Sequence, residues 1–302
     1  MKKILFISSR ERLRLKREFR QLSISNEETG SVFRFPLDSI EAVVIDNPAV
    51  SITPHILSLF AKHRITLLVV DPQTRYPSLA FSEFFSSHHA RGRITKKQFE
   101  TLLLDKRASL EIAKPLIYAK HINRGQKEDF DDIAKIPTME ALLSYEAKRS
   151  KEYWRALGIK RQKRQTDFSG YNTINAFLNY GYAVVRAKTA VLLAGYGLIP
   201  SLGVFHSDLA NPFALADDLM EVFRFAVEKK AICHIEKIRS SDSLSSGLKK
   251  EAIAALQLDI FFREKRVDMS FFMEQAVISF QKLVLGEINL SDFAERITVD
   301  KP

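Results

Sequence analysis

The chain has almost no cysteine. A single Cys233 in 302 residues excludes an internal disulfide framework and any cysteine-rich zinc site, and it suits a reducing compartment. Cys233 is expected as a small core residue. Long apolar runs are missing too: no stretch reaches the ~18 residues that a membrane span needs. The start, MKKILFISSRERLRL, has a basic lead, but its apolar run stops before Arg10, too short for the core of a signal peptide. A cytoplasmic protein without a membrane partner is the expectation. Acidic residues are also in deficit, 36 Asp and Glu against 46 Lys and Arg, for a net charge of +10 and a pI near 9.5. Residues 1–92 hold 13 basic and 9 acidic side chains, leaving 33 and 27 for the remainder, so no tail explains the excess. Such a balance favours a polyanionic partner.

A content of 46% hydrophobic and 27% charged residues is that of an ordinary globular protein, with length enough for two domains. Residues 1 to about 90 read as short strands at Ile4–Ile7, Arg12–Lys16, Gln21–Ser25, Ser31–Phe35, Ile40–Ile45, Thr66–Val70 and Leu79–Phe81. Asn26 to Gly30 looks like a hairpin loop, and Thr53-Pro54 opens one helix running to about His63. Alternation around Arg12–Lys16 turns Leu13 and Leu15 one way and Arg12, Arg14 and Lys16 the other, a solvated face or the charged guard of an edge strand. Pro77 and Ser82–Ser87 read as linker, as do His88 and His89. Helical periodicity then appears near Lys96–Asn123, Thr138–Leu157, Asn172–Gly195, Phe213–Lys230, Ser246–Arg263 and Met269–Leu285. Phe261, Phe262, Phe271 and Phe272 are expected to pack inward. The class is α+β, a small β-rich N-terminal domain (1–75), a linker (76–92) and a larger all-α C-terminal domain (93–302).

Candidate chemistry gathers at GLIPSLGVFHSDLANPFALADDLMEVFR, residues 197–224. Gly197 and Pro200 end one helix, and Asn211-Pro212 restarts another in the order of cap residue followed by proline. His206 falls on the loop between, and Asp217, Asp218 and Glu221 on the helix. Carboxylates on adjoining turns repel by roughly 0.2–0.5 kcal/mol per pair, a cost that a nearby cation removes. An imidazole with carboxylates suits a hard divalent ion such as Mg²⁺ or Mn²⁺, with zinc not excluded. An exposed acidic helix beside a core-edge histidine would give the same pattern.

Upstream, the helix MEALLSYEAKRSKEYWRAL (139–157) has an inward stripe of Met139, Leu142, Leu143, Glu146, Ser150, Tyr153, Trp154 and Leu157. Glu146 sits where the period asks for an apolar residue, so it needs a metal or a salt bridge to a basic residue of a neighbouring helix. Residues 148–164 carry eight basic side chains, Lys148, Arg149, Lys151, Arg155, Lys160, Arg161, Lys163 and Arg164, against one acid, Glu152. A stretch this basic suits phosphate contact, or is a solvated charge run. The following helix, 172–195, is apolar on most faces but for a stripe of Asn175, Asn179, Tyr182 and Arg186.

With these residues in view, YEAKRSKEYW (145–154), INAFLNYGYA (174–183), GLIPSLGVFH (197–206) and LADDLMEVFR (215–224) give the chain its likeness. It resembles the CRISPR-associated adaptation integrase family, protein one of that system, and the LADDLMEVFR form is most similar to type II members. The resemblance implies a metal triad of Glu146, His206 and Glu221, with Mg²⁺ or Mn²⁺ bound and Asp218 as a supporting acid or alternate ligand. It implies endonuclease chemistry and strand transfer, joining a 3′-hydroxyl of captured spacer DNA to a CRISPR repeat, by a homodimer held through the N-terminal domain and clamped about CRISPR-associated protein two. Other type II components could join it. Lys148, Arg149, Arg155, Lys160, Arg161, Lys163, Arg164 and Arg224 are the candidate DNA contacts, chosen by charge. The family commonly has a proline after the arginine of the last motif; here MEVFRFAVEKK has none, and a smoothly continuing helix is expected. Hydrolytic DNA cleavage by a metal-dependent nuclease, or non-catalytic binding by a basic architectural protein, are the rival functions.

Overall fold

The computed structural model describes residues 2–71, 73, 77–81, 90–159, 173–206 and 210–300. The first strands build two four-stranded sheets. One runs β4–β3–β2–β6, from Val32–Pro36, Gln21–Asn26, Leu13–Glu18 and Val50–Ile52. Asn26 closes the β3–β4 hairpin by accepting the backbone N–H of Glu28 and Thr29 at 2.8 and 3.0 Å, and Gly30 supplies the positive φ of 72° that the turn requires. β2 is an inner strand of this sheet, so its basic face is a solvated one and guards no edge. β6 has only three residues, too short for alternation to announce it.

The second sheet runs β1–β5–β7–β8, from Lys3–Ile7, Ile40–Ile45, Thr66–Val70 and Pro77–Phe81; β8 contains the expected strand Leu79–Phe81, although it falls inside the stretch 76–92 read as linker. β1, β5 and β7 are parallel; β8 returns antiparallel. All six residues of β5 are buried, as expected of a parallel strand covered on both faces. Val43 and Ile45 face a small core with Leu15, Leu22 and Ile56 and Phe60 of α1 (Pro54–Lys62). Val44, Leu68 and Val70 belong to the large core of the helical half. The sheet is thus a wall shared by both parts of the molecule.

The helical half comprises α2 (Ala90–Phe99), α3 (Lys106–Asn123), α4 (Phe130–Ala134), α5 (Met139–Ala156), α6 (Thr173–Gly195), α7 (Ala214–Met220), α8 (Arg224–Cys233), α9 (Ile235–Arg239), α10 (Ser246–Ile253), α11 (Met269–Val284) and α12 (Leu290–Arg296). α6, apolar on nearly every face, runs through its centre and packs on β7, β8, α7, α8 and α10. The expected single helix Lys96–Asn123 is broken: a π turn spans Glu100–Leu104, and Asp105 caps α3 by accepting from the backbone N–H of Arg107 and Ala108. The expected helix 246–263 stops at Ile253, and Asp259–Phe262 and Lys265–Asp268 form an antiparallel hairpin, β9–β10. Arg263 and Glu264 hold positive φ at its turn, the conformation a two-residue hairpin loop demands. Phe262 and Phe272 are buried as expected, whereas Phe261 and Phe271 are exposed: strand alternation turns Phe261 outward on β9, and Phe271 lies on the outer face of the helix α11, next to the buried Phe272. Cys233, expected in the core, is exposed at the end of α8. Among the described residues no helix is long and apolar enough to cross a membrane.

Candidate metal centre

The candidate site gathers α3, α5, His206 and the segment from Asp217 to Arg224. α5 presents the expected stripe, with Leu142 and Trp154 buried and Glu146 and Ser150 half-buried between them. The chain around Glu221 departs from expectation. The Asn211 side chain accepts from Phe213 N–H at 3.0 Å, but α7 begins only at Ala214, so Asn-Pro makes a turn ahead of the helix and does not cap it. The helix is also not smooth: Glu221–Phe223 form a 3₁₀ turn between α7 and α8. The Asn123 amide of α3 donates to the carbonyl of Val222 at 3.1 Å and so satisfies an acceptor that the tightened ladder leaves over.

The acids of LADDLMEVFR are shared out among separate partners, which offsets the repulsion their spacing creates. Asp217 lies 3.9 Å from Arg186 and accepts from Asn211 at 2.8 Å. Asp218 is fully buried, and its Oδ1 is 2.5 Å from His206 Nδ1. Its carboxylate also accepts the backbone N–H groups of Val204, Phe205 and His206, so one side chain both shapes the loop and aims the imidazole. Glu221 receives Arg224 Nη2 on Oε1 at 2.8 Å and has Lys120 Nζ 2.6 Å from Oε2. That same ammonium hydrogen-bonds Glu146 Oε1, which also accepts from the Ser150 hydroxyl at 2.7 Å.

Below these groups Arg124 clasps the buried Glu228 with two bonds of 2.9 and 2.6 Å, while its third nitrogen donates to Ser150 at 3.1 Å. Tyr182 donates to Glu228 at 2.9 Å, which explains the tyrosine in the polar stripe of α6. Lys120, Arg124, Ser150 and Glu228 are the supporting residues that sequence reasoning did not assign. Lys120 carried a legible signal: it stands seven residues after Ala113 and four after Leu116, inside the apolar stripe of α3.

The electrostatics follow from this geometry. Burial works against the charge on Glu221, but Arg224 and Lys120 outweigh it and hold its pKa at about 2. Burial likewise opposes the charge on Glu146, and Lys120 with Ser150 brings its pKa below the ordinary value. The Asp218 bond raises the pKa of His206 against the pull of burial, and Glu221 and Asp217 add to the rise. Glu146 and Glu221 are therefore brought together on either side of Lys120, and His206 lies within electrostatic reach of Glu221.

This donor set fits a hard divalent ion. Both glutamates are ionised, and Glu221 Oε2 is buried with no hydrogen bond of good geometry, Lys120 being a charge contact only. His206 has one ring nitrogen held by a carboxylate, the usual arrangement of a ligating imidazole whose other nitrogen faces the metal. With the side chains as they stand, no three His, Cys, Asp or Glu among the described residues close around one point, and the Lys120 ammonium spans the gap between Glu146 and Glu221.

The candidate DNA contacts divide. Lys148 and Arg155 are exposed on the outer face of α5. Arg149 is committed to Glu128 and Glu152, each at 2.6 Å, and Arg224 to Glu221 and the ring of Tyr182, 4.8 Å away. Lys160, Arg161, Lys163 and Arg164, like His88 and His89, lie outside the described residues.

A family model described as CRISPR associated protein Cas1 matches residues 5–243. The chain belongs to that family. The CRISPR-associated endonuclease Cas1 of Neisseria meningitidis serogroup C (strain 8013) is 30% identical over 289 residues, covering 92% of this chain and 90% of its own. Among solved structures, a casposase bound to integration product is similar with a TM-score of 0.76 at 19% identity, over 96% of this chain and 92% of that one. A Cas6-RT-Cas1–Cas2 complex is similar with a TM-score of 0.66 at 15% identity, over 99% of this chain and 36% of that one. At these identities the structural likeness speaks for the fold, a β-rich first part followed by a helical second part.

Proposed function

We propose that this chain is a metal-dependent DNA integrase that inserts new spacers into a CRISPR array. The observation that carries the reading is the meeting of Glu146 and Glu221, from two elements far apart in the chain, beside a His206 aimed by Asp218. Glu146, His206 and Glu221 would hold Mg²⁺ or Mn²⁺. Bound there, the ion would supply Lewis-acid polarisation of the scissile phosphate and offset charge on the attacking and leaving oxygens. The protein's own work is positional. Asp218 fixes the imidazole, Ser150 and Arg124 fix Glu146, and Arg224 keeps Glu221 ionised. The 3′-hydroxyl of a captured duplex attacks a phosphorus at the repeat boundary, the bond from that phosphorus to the repeat's own 3′-oxygen breaks, and the hydroxyl proton passes to the departing oxygen by way of solvent. One phosphodiester replaces another, so no energy source is consumed.

Charge supports a DNA substrate, through the net +10 and the exposed Lys148 and Arg155 of α5. A casposase bound to its integration product and a complex holding Cas1 with Cas2 share the fold, which supports strand transfer and CRISPR-associated protein two as partner. Exposed Val32 and Phe33 on the outer strand β4 support a homodimer joined through the N-terminal part, since unpaired apolar edges call for cover. The test supplies duplexes with free 3′-hydroxyls, a supercoiled repeat-bearing plasmid, the partner protein and Mn²⁺, and measures covalent joining. Joining is expected to fall by about a hundredfold or more in Glu146→Ala, His206→Ala and Glu221→Ala that remain folded, and on chelation. Metal-dependent cutting without joined product would favour hydrolysis, and undiminished joining by Glu221→Ala would remove that residue from the site.

A further inference from the structure

Among the described residues, Lys120 is the one lysine that touches both glutamates of the site. Its side chain is buried on α3, at the level where that helix meets α5 and the 3₁₀ turn. Nζ hydrogen-bonds Glu146 and stands 2.6 Å from Glu221 Oε2, the oxygen that accepts no hydrogen bond of good geometry. Arg224 already serves the other oxygen of Glu221, and Ser150 serves Glu146. Lys120 therefore fills the place between the two carboxylates where an ion shared by them would sit. An ammonium and a divalent cation cannot both occupy that gap, because like charges in direct contact away from water repel strongly. The arrangement differs from an ordinary buried ion pair in that one lysine bridges two acids from different elements, each of which has a second partner already.

We propose that Lys120 is an internal competitor of the divalent ion: its ammonium holds Glu146 and Glu221 together in the metal-free protein and is displaced when the metal enters. This rests on the metal reading above and adds to it a device by which the site stays assembled without its ion. The lysine stem, four carbons with free rotation, lets Nζ withdraw without moving α3. Apparent metal affinity is lower than the ligands alone would give, since each binding event must first break the lysine contacts.

The test uses the full chain. Mn²⁺ is titrated into wild type and Lys120→Met, free Mn²⁺ being followed by electron paramagnetic resonance, with thermal unfolding measured alongside in excess chelator and in saturating Mn²⁺. Lys120→Met keeps the length of the side chain and removes the charge. It is expected to bind Mn²⁺ on the order of tenfold more tightly, the size of a usual coupling between two ligands of one site, and to melt lower than wild type only when metal is absent. A purely structural lysine would lower the melting temperature and leave Mn²⁺ affinity unchanged or weaker, and either result overturns the proposal. Should Lys120→Met not fold, a crystal structure of wild type grown with Mn²⁺ decides: Nζ withdrawn from both carboxylates is expected, and Nζ still between them overturns it. Glu146→Ala and Glu221→Ala separate the two ideas. If neither weakens Mn²⁺ binding, the metal reading itself fails; if both do while Lys120→Met binds no more tightly than wild type, only the competitor is lost.

Discussion

Lys120 and His121 are neighbours on α3, both buried, and they meet burial in opposite ways. Lys120 keeps carboxylates around its charge. His121 has only an amide: its Nδ1 lies 2.8 Å from Gln126 Oε1, and its Nε2 is buried with no hydrogen-bond partner. Burial, with Lys120 and Arg124 adding to it against the Gln126 bond, lowers the pKa of His121 to about 4, from an ordinary 6.5. The unfolded chain then binds the proton first, so stability is lost as pH falls from 6.5 and the loss levels off below about 4. The loss at pH 4 amounts to about 3 kcal/mol. Urea unfolding at a series of pH values checks this. His121→Leu is expected to be less stable than wild type at pH 7 and to lose less on acidification; a difference between the two proteins that stays constant from pH 7 to 4 would show that His121 does not titrate in this way. At this scale the sequence was legible wherever a residue broke a pattern. Glu146 could be picked out because a carboxylate stood in an apolar stripe, and a bridge to a basic residue of another helix is what the structure shows. Lys120 broke the stripe of α3 in the same manner but has a long aliphatic stem that often lies along apolar surface with its charge outside, so the break was easy to pass over.

At the scale of elements, the loop from Leu198 to His206 and the 3₁₀ turn at Glu221 decide the geometry of the site, and neither is set by periodicity. The turn is held from outside, by Asn123 of α3, which also bonds Ile297 at 3.1 Å and Val299 at 2.9 Å. Such long-range support leaves no trace in the local spacing of MEVFRFAVEKK, which reads as a continuous helix. The hairpin β9–β10 was hidden for a related reason: both strands have only four residues, and the paired phenylalanines of β9 fit both periods. The loop depends on Gly203. A Cβ there would stand 2.5 Å from the carbonyl oxygen of His206, 2.9 Å from Ala214 Cβ and 3.0 Å from Asp218 Oδ2. Two of those three neighbours belong to the cradle in which Asp218 receives the loop and the imidazole. Gly203→Ala is therefore expected to push His206 off its aim, lowering Mn²⁺ affinity by about tenfold or more, as loss of a ligand's support usually does. Gly92→Ala is the control, since nothing lies within 4 Å of a Cβ at that position of α2. Equal Mn²⁺ affinity in Gly203→Ala and wild type would mean that the loop relaxes without moving the imidazole.

The whole molecule is joined through a sheet that serves two cores. The run IEAVVI of β5 announces burial on both faces, and the division of the chain into a β-rich and a helical part was legible from composition. How closely the parts would be tied was not, because the ties are pairs of charges distant in sequence. Lys188 of α6 pairs with Glu41 of β5, both buried, and Lys249 of α10 lies 2.6 Å from Asp46, just beyond the same strand. With Val44, Leu68 and Val70 counted in the helical core, opening either part exposes apolar surface of the other. The two parts are thus expected to unfold in one calorimetric transition whose van't Hoff and calorimetric enthalpies agree. The pair at Lys188 tests the coupling. Lys188→Met strands the Glu41 carboxylate in the junction at a cost of about 3–5 kcal/mol, whereas Lys188→Met combined with Glu41→Gln leaves no unpaired charge and is expected to recover most of that loss. If the junction couples the parts, Lys188→Met lowers the single transition as a whole or splits it in two, and the double variant restores one. A fall confined to one of two transitions already present in wild type would mean that the shared sheet does not make the chain a single cooperative unit, and that the metal site is stabilised by the helical half alone.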